Sequence, residues 1–190
     1  MLIGLDPGHG GKDFGASSGL ITEATYVWDF CNRLETMFSL AGHKIVKSRP
    51  KIEDPIFKQR AVALEKADVV FSIHVNAAQP QASGGIFFWN GDSVSKDKNL
   101  ALAQLLYKYW PPALRRLKES TSIWRVGAQE IAKQAWLSRA HNVIKRHNQP
   151  TILAELFFLT SFYDVKVAAH PFTEEAMRWA FMRAIDAFSN

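Results

Sequence analysis

Short, almost continuously apolar runs alternate with segments of helical periodicity along the chain, and this alternation restricts the fold more than any other feature. The apolar runs predict strands at residues 2–5, 44–48, 68–74, 86–89 and 151–158. Apolar residues at three- and four-residue spacing predict helices at residues 23–41, 55–66, 100–110 and 173–188. Such alternation predicts an α/β fold, and runs that are apolar throughout favour a sheet covered on both faces. We therefore expect a mostly parallel, twisted sheet with helices on both faces.

The size of the chain fits one domain. It has 190 residues, of which 47% are hydrophobic and 22% charged, a composition typical of globular proteins rather than of disordered or membrane-spanning ones. We therefore expect residues 1–190 to form a single domain without a transmembrane segment. Residues 1–6 lack the basic segment and the apolar stretch of a secretory signal, so we expect no signal peptide in this chain.

The cysteine count limits how the chain is cross-linked and how it binds metal. Cys31 is the single cysteine, so no disulfide forms within the chain and a cage of cysteine thiolates is excluded. Any metal ion must therefore be held by histidines and carboxylates.

The positive charge of the chain is concentrated in residues 108–147, called the basic stretch below. The whole chain has a formal charge of +5, whereas this stretch holds nine Lys or Arg residues and two Glu residues. We expect it to be mostly helical. Two interpretations stay open: the charges form a solvated helical face, or they bind an anionic polymer. No zinc-finger, RNP-like or helix-turn-helix pattern accompanies them, so we expect no binding to nucleic acid.

Three ionisable side chains are expected at one edge of the predicted sheet. His9 follows the first strand in a glycine-rich loop, His74 ends the third strand, and Glu155 lies in the last one. Ligands of open α/β sheets bind beyond the carboxyl ends of the strands, which is where these residues would meet. The glycine-rich loop lacks the glycine and lysine spacing of phosphate-binding loops.

Two histidines and one carboxylate form the ligand set of a catalytic zinc site. Glu23, which opens the first predicted helix, supplies such a carboxylate, although an acidic residue at this place also suits the helix dipole. Similarly, a lone loop histidine such as His9 is more often structural. Glu155 interrupts an apolar run, where an unpaired carboxylate is costly, so it needs a partner or a function. Beside a zinc ion it would act as a general base.

Several short motifs follow one another along the chain. They are Asp6-Pro7-Gly8-His9-Gly10-Gly11, Glu23, Lys47-Ser48-Arg49, Ser72-Ile73-His74-Val75-Asn76-Ala77, Gly84-Gly85-Ile86 and Ile152-Leu153-Ala154-Glu155-Leu156. In this order they resemble the motifs of the zinc-dependent N-acetylmuramoyl-L-alanine amidases of the amidase-3 type, which cut peptidoglycan between the glycan and the stem peptide. The resemblance runs from residue 3 to about residue 160.

This resemblance implies a role for four of the candidate residues. His9, Glu23 and His74 would hold one Zn²⁺ ion per chain. Glu155 would be the catalytic carboxylate, which takes a proton from the attacking water and passes it to the amine of L-alanine. The implied substrate is peptidoglycan, and the implied bond is the amide between N-acetylmuramic acid and L-alanine. Residues 1–190 would then be one catalytic domain without a separate wall-binding domain.

Four further positions bear on the pocket. Asn76 and Arg60 resemble recurrent family residues and are candidates for substrate binding, with loop capping and surface pairing as the alternative roles. Phe157 stands where the family commonly has Gly, and Ser161 stands near a usual Asn. Neither departure removes a ligand, and both concern the floor of the pocket.

Three functional classes are compatible with these residues. The order of the motifs favours the amidase. A zinc peptidase or a deacetylase acting on cell-wall substrates would use the same two histidines and two carboxylates. A non-catalytic wall-binding regulator would have a degenerate site, and the presence of all four site residues argues against it.

Two cellular settings fit this interpretation, and in both the chain acts at the bacterial cell wall. It is either a phage lysin, which passes from the host cytoplasm to the envelope, or the excised catalytic domain of an exported protein. We favour the lysin because Met1 runs directly into the first strand. The basic stretch, residues 108–147, would then replace a wall-binding domain by electrostatic contact with the anionic envelope.

Overall fold

The computed structural model describes residues 1–19, 21–51, 53–79, 82–115, 122–134 and 137–189. Its strands are β1 (Leu2–Pro7), β2 (Ser17–Ser18), β3 (Ile21–Thr22), β4 (Lys44–Lys47), β5 (Val69–Asn76), β6 (Ile86–Asn90), β7 (Ser122–Val126) and β8 (Thr151–Phe158). Its α-helices are α1 (Glu23–Leu40), α2 (Phe57–Ala63), α3 (Lys96–Tyr109), α4 (Ala128–Lys133), α5 (Ser138–Ile144), α6 (Phe162–Ala168) and α7 (Pro171–Ser189). A 3₁₀ turn, Pro112–Arg115, follows α3. Among these described helices, none is both long and apolar enough to cross a lipid bilayer.

Six of the strands form one mixed sheet, in the order β4-β1-β5-β8-β6-β7, and β2 pairs with β3 in a separate hairpin. The first four strands of this order are parallel to one another. Strand β6 runs antiparallel to β8 and parallel to β7. The prediction of an α/β fold with a mostly parallel sheet is confirmed, and each predicted strand is present.

Helices cover both faces of the sheet, as the sequence predicts. On one face, α1, α3 and α7 share a buried core with alternate residues of the central strands, among them Ile3, Phe71 and Ile152. On the other face, α5 packs near Leu153, and the turn after α2 packs against Val70. Because side chains alternate along a strand, sequence neighbours such as Ile152 and Leu153 enter different cores.

Helix α1 brings a carboxylate to the carboxyl edge of the sheet. Its N-terminus is capped by Thr22, whose hydroxyl accepts a hydrogen bond from the Thr25 N–H at 3.4 Å. Phe30 and Leu34, at helical spacing, are buried against the sheet. This packing fixes Glu23, the first residue of the helix, at the site described below.

The basic stretch, which we expect to be mostly helical, contains a strand, so this prediction is wrong in part. Strand β7 pairs in parallel with β6, and only then do α4 and α5 follow. Packing on both faces of the sheet explains the strand. Ile123 packs against the core shared with α1, α3 and α7, whereas Trp124 and Val126 belong to the core near α5. Side chains that serve two opposite faces require an extended chain. The short helix α6 and the β2–β3 hairpin are further elements that periodicity did not predict.

The charges of the basic stretch do not lie on one element. Lys108 is near the end of α3, Arg125 lies on β7, and Lys145 follows α5. Arg125 is already paired, with Glu130 at 2.6 Å and with Asp92 at 3.1 Å. Outside the described residues lie Arg116, Lys118 and Glu119, and the side chains of Arg115 and Arg139 are likewise not described. The electrostatic contact with an anionic envelope stays a prediction.

Candidate metal centre and catalytic site

The loop after β1 places His9 between two carboxylates. His9 Nδ1 lies 2.8 Å from Asp13 Oδ2, and His9 Nε2 lies 3.1 Å from Glu23 Oε2. A carboxylate on one ring nitrogen holds an imidazole in a fixed orientation and selects the other nitrogen for a ligand. The structure therefore directs Nε2 of His9 into the site.

The carboxylate of Glu23 is buried and is held by the main chain. Its Oε1 accepts a hydrogen bond from the Val75 N–H at 3.1 Å, and its Oε2 accepts one from the Ala16 N–H at 2.9 Å. The same oxygens face one histidine each, with His74 Nδ1 at 3.0 Å from Oε1 and His9 Nε2 at 3.1 Å from Oε2. Glu23 thus bridges the two imidazoles from a fixed position.

His9, Glu23 and His74 together form a compact donor set. One ligand atom from each residue lies within 4.8 Å of the others, and the two rings meet edge to face with centroids 5.2 Å apart. Imidazole nitrogens and a carboxylate oxygen are ligands that bind zinc, and three protein ligands leave a coordination position open. The residues that the sequence predicts as ligands are therefore brought together, and the set fits a metal ion.

Two glycines permit this close packing. A Cβ atom built at Gly8 would overlap the imidazole of His74. A Cβ at Gly15 would collide with the carboxylate of Glu23 and with the ring of His9, and the φ of 64° at Gly15 is itself unfavourable for other residues. Glycine is required at both positions because the side chains of the donor set occupy the space.

The contacts within the donor set shift its pKa values. Burial alone would favour a neutral His9, but hydrogen bonds to Glu23 and Asp13 and their charges raise the pKa of His9 to about 9. Against burial, the hydrogen bond and charge of Glu23 raise the pKa of His74. Burial alone would raise the pKa of Glu23, yet the two histidines hold it well below its usual range. A metal ion entering this set must therefore displace protons.

Glu155 lies beside the donor set, on strand β8. It is opposite His74 in the register of β5 and β8. Its Oε2 is shielded from solvent and accepts no hydrogen bond from the described residues. Burial raises the pKa of Glu155 to about 7, although the charge of His74 acts in the opposite direction. A carboxylate that titrates near neutrality and has a free oxygen has the properties of a general acid or base.

Arg60 is close to His9 and is enclosed by the protein. It is buried, with 6% of its surface exposed. All three guanidinium nitrogens donate hydrogen bonds, to Asp6 Oδ1, Pro7 O, His9 O, Asp54 Oδ1 and Pro55 O. The substrate contact expected for Arg60 has no support in this geometry, because its donors are already engaged within the protein.

The other positions named from the sequence have local roles in the structure. Asn76 ends β5, and its Oδ1 accepts a hydrogen bond from the Ala77 N–H at 2.8 Å, which is the loop-capping alternative. Substrate binding by Asn76 stays a prediction. Ser161 caps α6, where its hydroxyl accepts from the Asp164 N–H at 3.2 Å. Phe157 is buried and meets the ring of Tyr26 edge to face, with centroids 5.1 Å apart.

Asp13 is the residue that sequence reasoning missed. It had no assigned role, although it stands four residues after His9 in the same loop. Carboxylates commonly orient metal-binding histidines, so an acidic residue this close to a candidate ligand was the available signal. Its Oδ1 also accepts a hydrogen bond from the Gly15 N–H at 3.0 Å, which ties the loop to itself.

Two histidines and two carboxylates at the carboxyl edge of a mostly parallel sheet define an α/β protein with the residue set of a metal-dependent hydrolase. The sequence matches the amidase-3 family, described as N-acetylmuramoyl-L-alanine amidase, over residues 3–187. The chain belongs to this family.

Individual relatives and solved structures show the same likeness. The germination-specific N-acetylmuramoyl-L-alanine amidase of Bacillus subtilis is 26% identical over 189 residues, which cover 90% of this chain and 72% of that protein. The probable cell wall amidase LytH of Staphylococcus saprophyticus is 24% identical over 190 residues, which cover 98% of this chain but 57% of that protein. The structure of the N-acetylmuramoyl-L-alanine amidase AmiC2 of Nostoc punctiforme is 23% identical and has a TM-score of 0.79, with 100% of this chain and 97% of that one covered. This structural likeness shows the fold.

Proposed function

We propose that this chain is a zinc-dependent amidase that hydrolyses the bond between N-acetylmuramic acid and the L-alanine of the peptidoglycan stem peptide. The observation that carries the proposal is the position of Glu155, opposite His74 and beside the set of His9 and Glu23. Its buried Oε2 has no hydrogen-bond partner among the described residues. Membership of the amidase-3 family supports the substrate class.

Zinc fits the donor set better than a harder cation. Two imidazole nitrogens and one carboxylate oxygen suit Zn²⁺, whereas Mg²⁺ and Ca²⁺ prefer oxygen donors. When bound here, zinc would supply Lewis acidity toward the amide carbonyl and toward water. The chain prepares the ligands in advance, since Asp13 orients His9 and the N–H groups of Ala16 and Val75 hold Glu23.

Glu155 moves the proton in the proposed reaction. It takes a proton from water as the water oxygen attacks the carbonyl carbon, and it gives a proton to the L-alanine nitrogen as the C–N bond breaks. Because burial raises the pKa of Glu155 to about 7, one carboxyl group can serve in both directions near neutral pH. Since Oε2 has no hydrogen-bond partner among the described residues, no protein contact has to break first.

The variant Glu155→Gln tests this role, because it keeps the shape of the side chain and removes the base. Both proteins are loaded with zinc and incubated with purified peptidoglycan, and newly exposed L-alanine amino groups are labelled and counted. We expect the variant to be slower by about 10²–10⁴-fold, with the zinc content of the wild type. The exposed Glu65 provides a matched control, and Glu65→Gln should keep wild-type turnover. Near-wild-type hydrolysis by Glu155→Gln contradicts the proposal.

The products separate this proposal from activities that share its chemistry. Amidase action exposes the amino group of L-alanine and leaves the glycan strands intact. A zinc peptidase would expose amino groups further along the stem peptide, and a deacetylase would release acetate. A non-catalytic regulator would sediment with peptidoglycan without releasing anything. Mass spectrometry of the soluble products distinguishes all four outcomes.

We further propose that the chain acts at the bacterial cell wall as a phage lysin, with the basic stretch drawing it to the anionic envelope. The support is charge: Lys133, Lys145 and Arg146 are exposed. Binding to cell walls should weaken from low to moderate salt, because salt screens exposed charges. Binding that is indifferent to salt contradicts the electrostatic part. A culture that stays turbid when the chain is produced inside it and the membrane is then permeabilised contradicts the lysin role.

A further inference from the structure

The loop that carries His9 has a main-chain conformation that costs free energy. His9 is a residue with a Cβ atom and has a φ of 55°, and the next two residues, Gly10 and Gly11, have φ of 134° and 53°. The left-handed region is unfavourable for a residue with a side chain. Interactions with the surrounding structure must therefore hold this loop.

Two buried arginines bind three successive carbonyl groups of the loop. Arg49 donates from Nε to Pro7 O at 2.9 Å and from Nη2 to Gly8 O at 2.9 Å. Arg60 donates from Nη1 to Pro7 O at 2.7 Å and from Nη2 to His9 O at 2.5 Å. The two side chains are only 3% and 6% exposed. Every carbonyl from residue 7 to residue 9 thus accepts from a guanidinium.

Asp6 links Arg60 to the sheet. Its Oδ1 accepts from the Ser48 hydroxyl at 2.5 Å and from Arg60 Nη1 at 3.0 Å, and its Oδ2 accepts from the Ser72 hydroxyl at 2.7 Å. Ser72 lies two residues before His74 on β5, so both project from the same face of the sheet. One buried network therefore connects the strand of His74 with the loop of His9.

The role of this arginine pair is geometric rather than electrostatic. A guanidinium repels a metal cation, so the two charges do not assist metal binding directly. Their planar forks instead deliver several hydrogen bonds in fixed directions to different carbonyls. A lysine ammonium keeps the charge but donates from a single nitrogen and cannot reproduce this arrangement.

We propose that Arg49 and Arg60 are positioning residues that fix the main chain of residues 7–9, and that they thereby set the geometry of His9 and the zinc affinity of the site. The inference rests on the proposed function, because it takes His9 as a zinc ligand. Each arginine acts through the main chain of the loop, whose carbonyl groups its guanidinium binds.

The test compares zinc affinity with folding stability in conservative variants. The dissociation constant for zinc is measured by competition with a chromophoric chelator, and the Tm of the metal-free protein is measured by circular dichroism. We expect Arg60→Lys and Arg49→Lys to bind zinc at least about tenfold more weakly, as expected when support of a metal ligand is lost. Arg33 is more than half exposed and pairs with Glu174, so Arg33→Lys is the matched control with wild-type affinity.

A core variant distinguishes positioning from general destabilisation. Leu34 is fully buried away from the site, so Leu34→Ala should lower the Tm and leave the zinc affinity unchanged. The inference is overturned if both lysine variants bind zinc with an affinity within twofold of the wild type. It is also overturned if Leu34→Ala, compared at the same Tm, loses as much zinc affinity as the lysine variants do. If Arg60→Lys does not fold, Arg49→Lys decides by the same criterion. A wild-type chain that binds no stoichiometric zinc instead contradicts the proposed function.

Discussion

His74 on β5 and Glu155 on β8 are register partners in neighbouring parallel strands. Side chains at such opposed positions project from the same face of the sheet. The hydrogen bonds between two central strands therefore hold an imidazole of the donor set beside the carboxylate of Glu155, without help from a loop. Directly after this pair the register shifts between His74 and Asn76, and such irregularities commonly occur next to active sites.

Replacing Asp13 should weaken zinc binding without unfolding the protein. Asp13 Oδ2 lies 2.8 Å from His9 Nδ1, and Asp13→Ala frees the ring to rotate. We expect the zinc dissociation constant to rise by about 10–100-fold, the usual effect of losing a carboxylate that orients a metal-binding histidine. Chelator competition measures this change. Asp97, which is exposed on α3, provides the control Asp97→Ala, and equal zinc affinity in the two variants would remove the orienting role from Asp13.

Adding a single methyl group at Gly8 should displace His74. A Cβ at this position overlaps the His74 imidazole, and the strand that carries the ring is buried, so the ring has to leave the donor set. We expect Gly8→Ala to lose zinc binding and hydrolysis together. Gly42 has a φ of 85°, and a Cβ added there would meet no atom of the described residues within 4 Å beyond its chain neighbours, so Gly42→Ala should cost stability alone. A Gly8→Ala protein with wild-type zinc content would show that His74 is not held against this glycine.

The parts of the site that sequence reasoning found are those carried by local motifs. His9 stands in a glycine-rich loop, His74 and Glu155 interrupt apolar strands, and Glu23 opens a helix, so each is unusual in its own surroundings. The alternation of strands and helices likewise identified the fold. The unusual residues and the alternation of elements can both be recognised in the sequence without knowing which elements are in contact.

The parts that were missed depend on contacts between distant segments. The guanidinium of Arg60 binds the main chain of His9, which is 51 residues away in sequence, and no local pattern reports such a contact. Strand β7 is extended because the side chains of Ile123 and Val126 pack into cores on opposite faces of the sheet. The two side chains can separate in this way only once β7 has paired with β6. Tertiary packing therefore decided both cases.

The buried carboxylate of Asp6 should make stability depend on acid. Although burial acts in the opposite direction, Arg60 and hydrogen bonds from Ser48 and Ser72 hold the pKa of Asp6 below its ordinary value of 3.8. Its stabilising contribution is therefore complete above pH 3.8 and is lost as the pH falls through the lower pKa of the folded state. We expect Asp6→Asn to lower the free energy of unfolding by about 3 kcal/mol at neutral pH, the cost of breaking a buried ion pair. Urea unfolding at several pH values measures it.

The same comparison contains its own control. As the pH falls below 3.8, the wild type loses the ion pair that the variant already lacks, so the difference between the two proteins should shrink. A difference that stays constant, or grows, toward low pH would show that Asp6 does not stabilise the fold through its charge.

Zinc binding should release protons and strengthen as the pH rises. The pKa of His9 is raised to about 9 by Glu23 and Asp13 despite burial, so its ring holds a proton at neutral pH before metal binds. The hydrogen bond and charge of Glu23 raise the pKa of His74 as well, against burial. Zinc requires neutral imidazoles, and each proton released makes the affinity rise about tenfold per pH unit. Calorimetry in buffers of different ionisation enthalpy counts these protons. His170 is exposed, so His170→Gln should release the same number. An affinity that does not change between about pH 6 and 8, without proton release, would exclude the histidines as ligands.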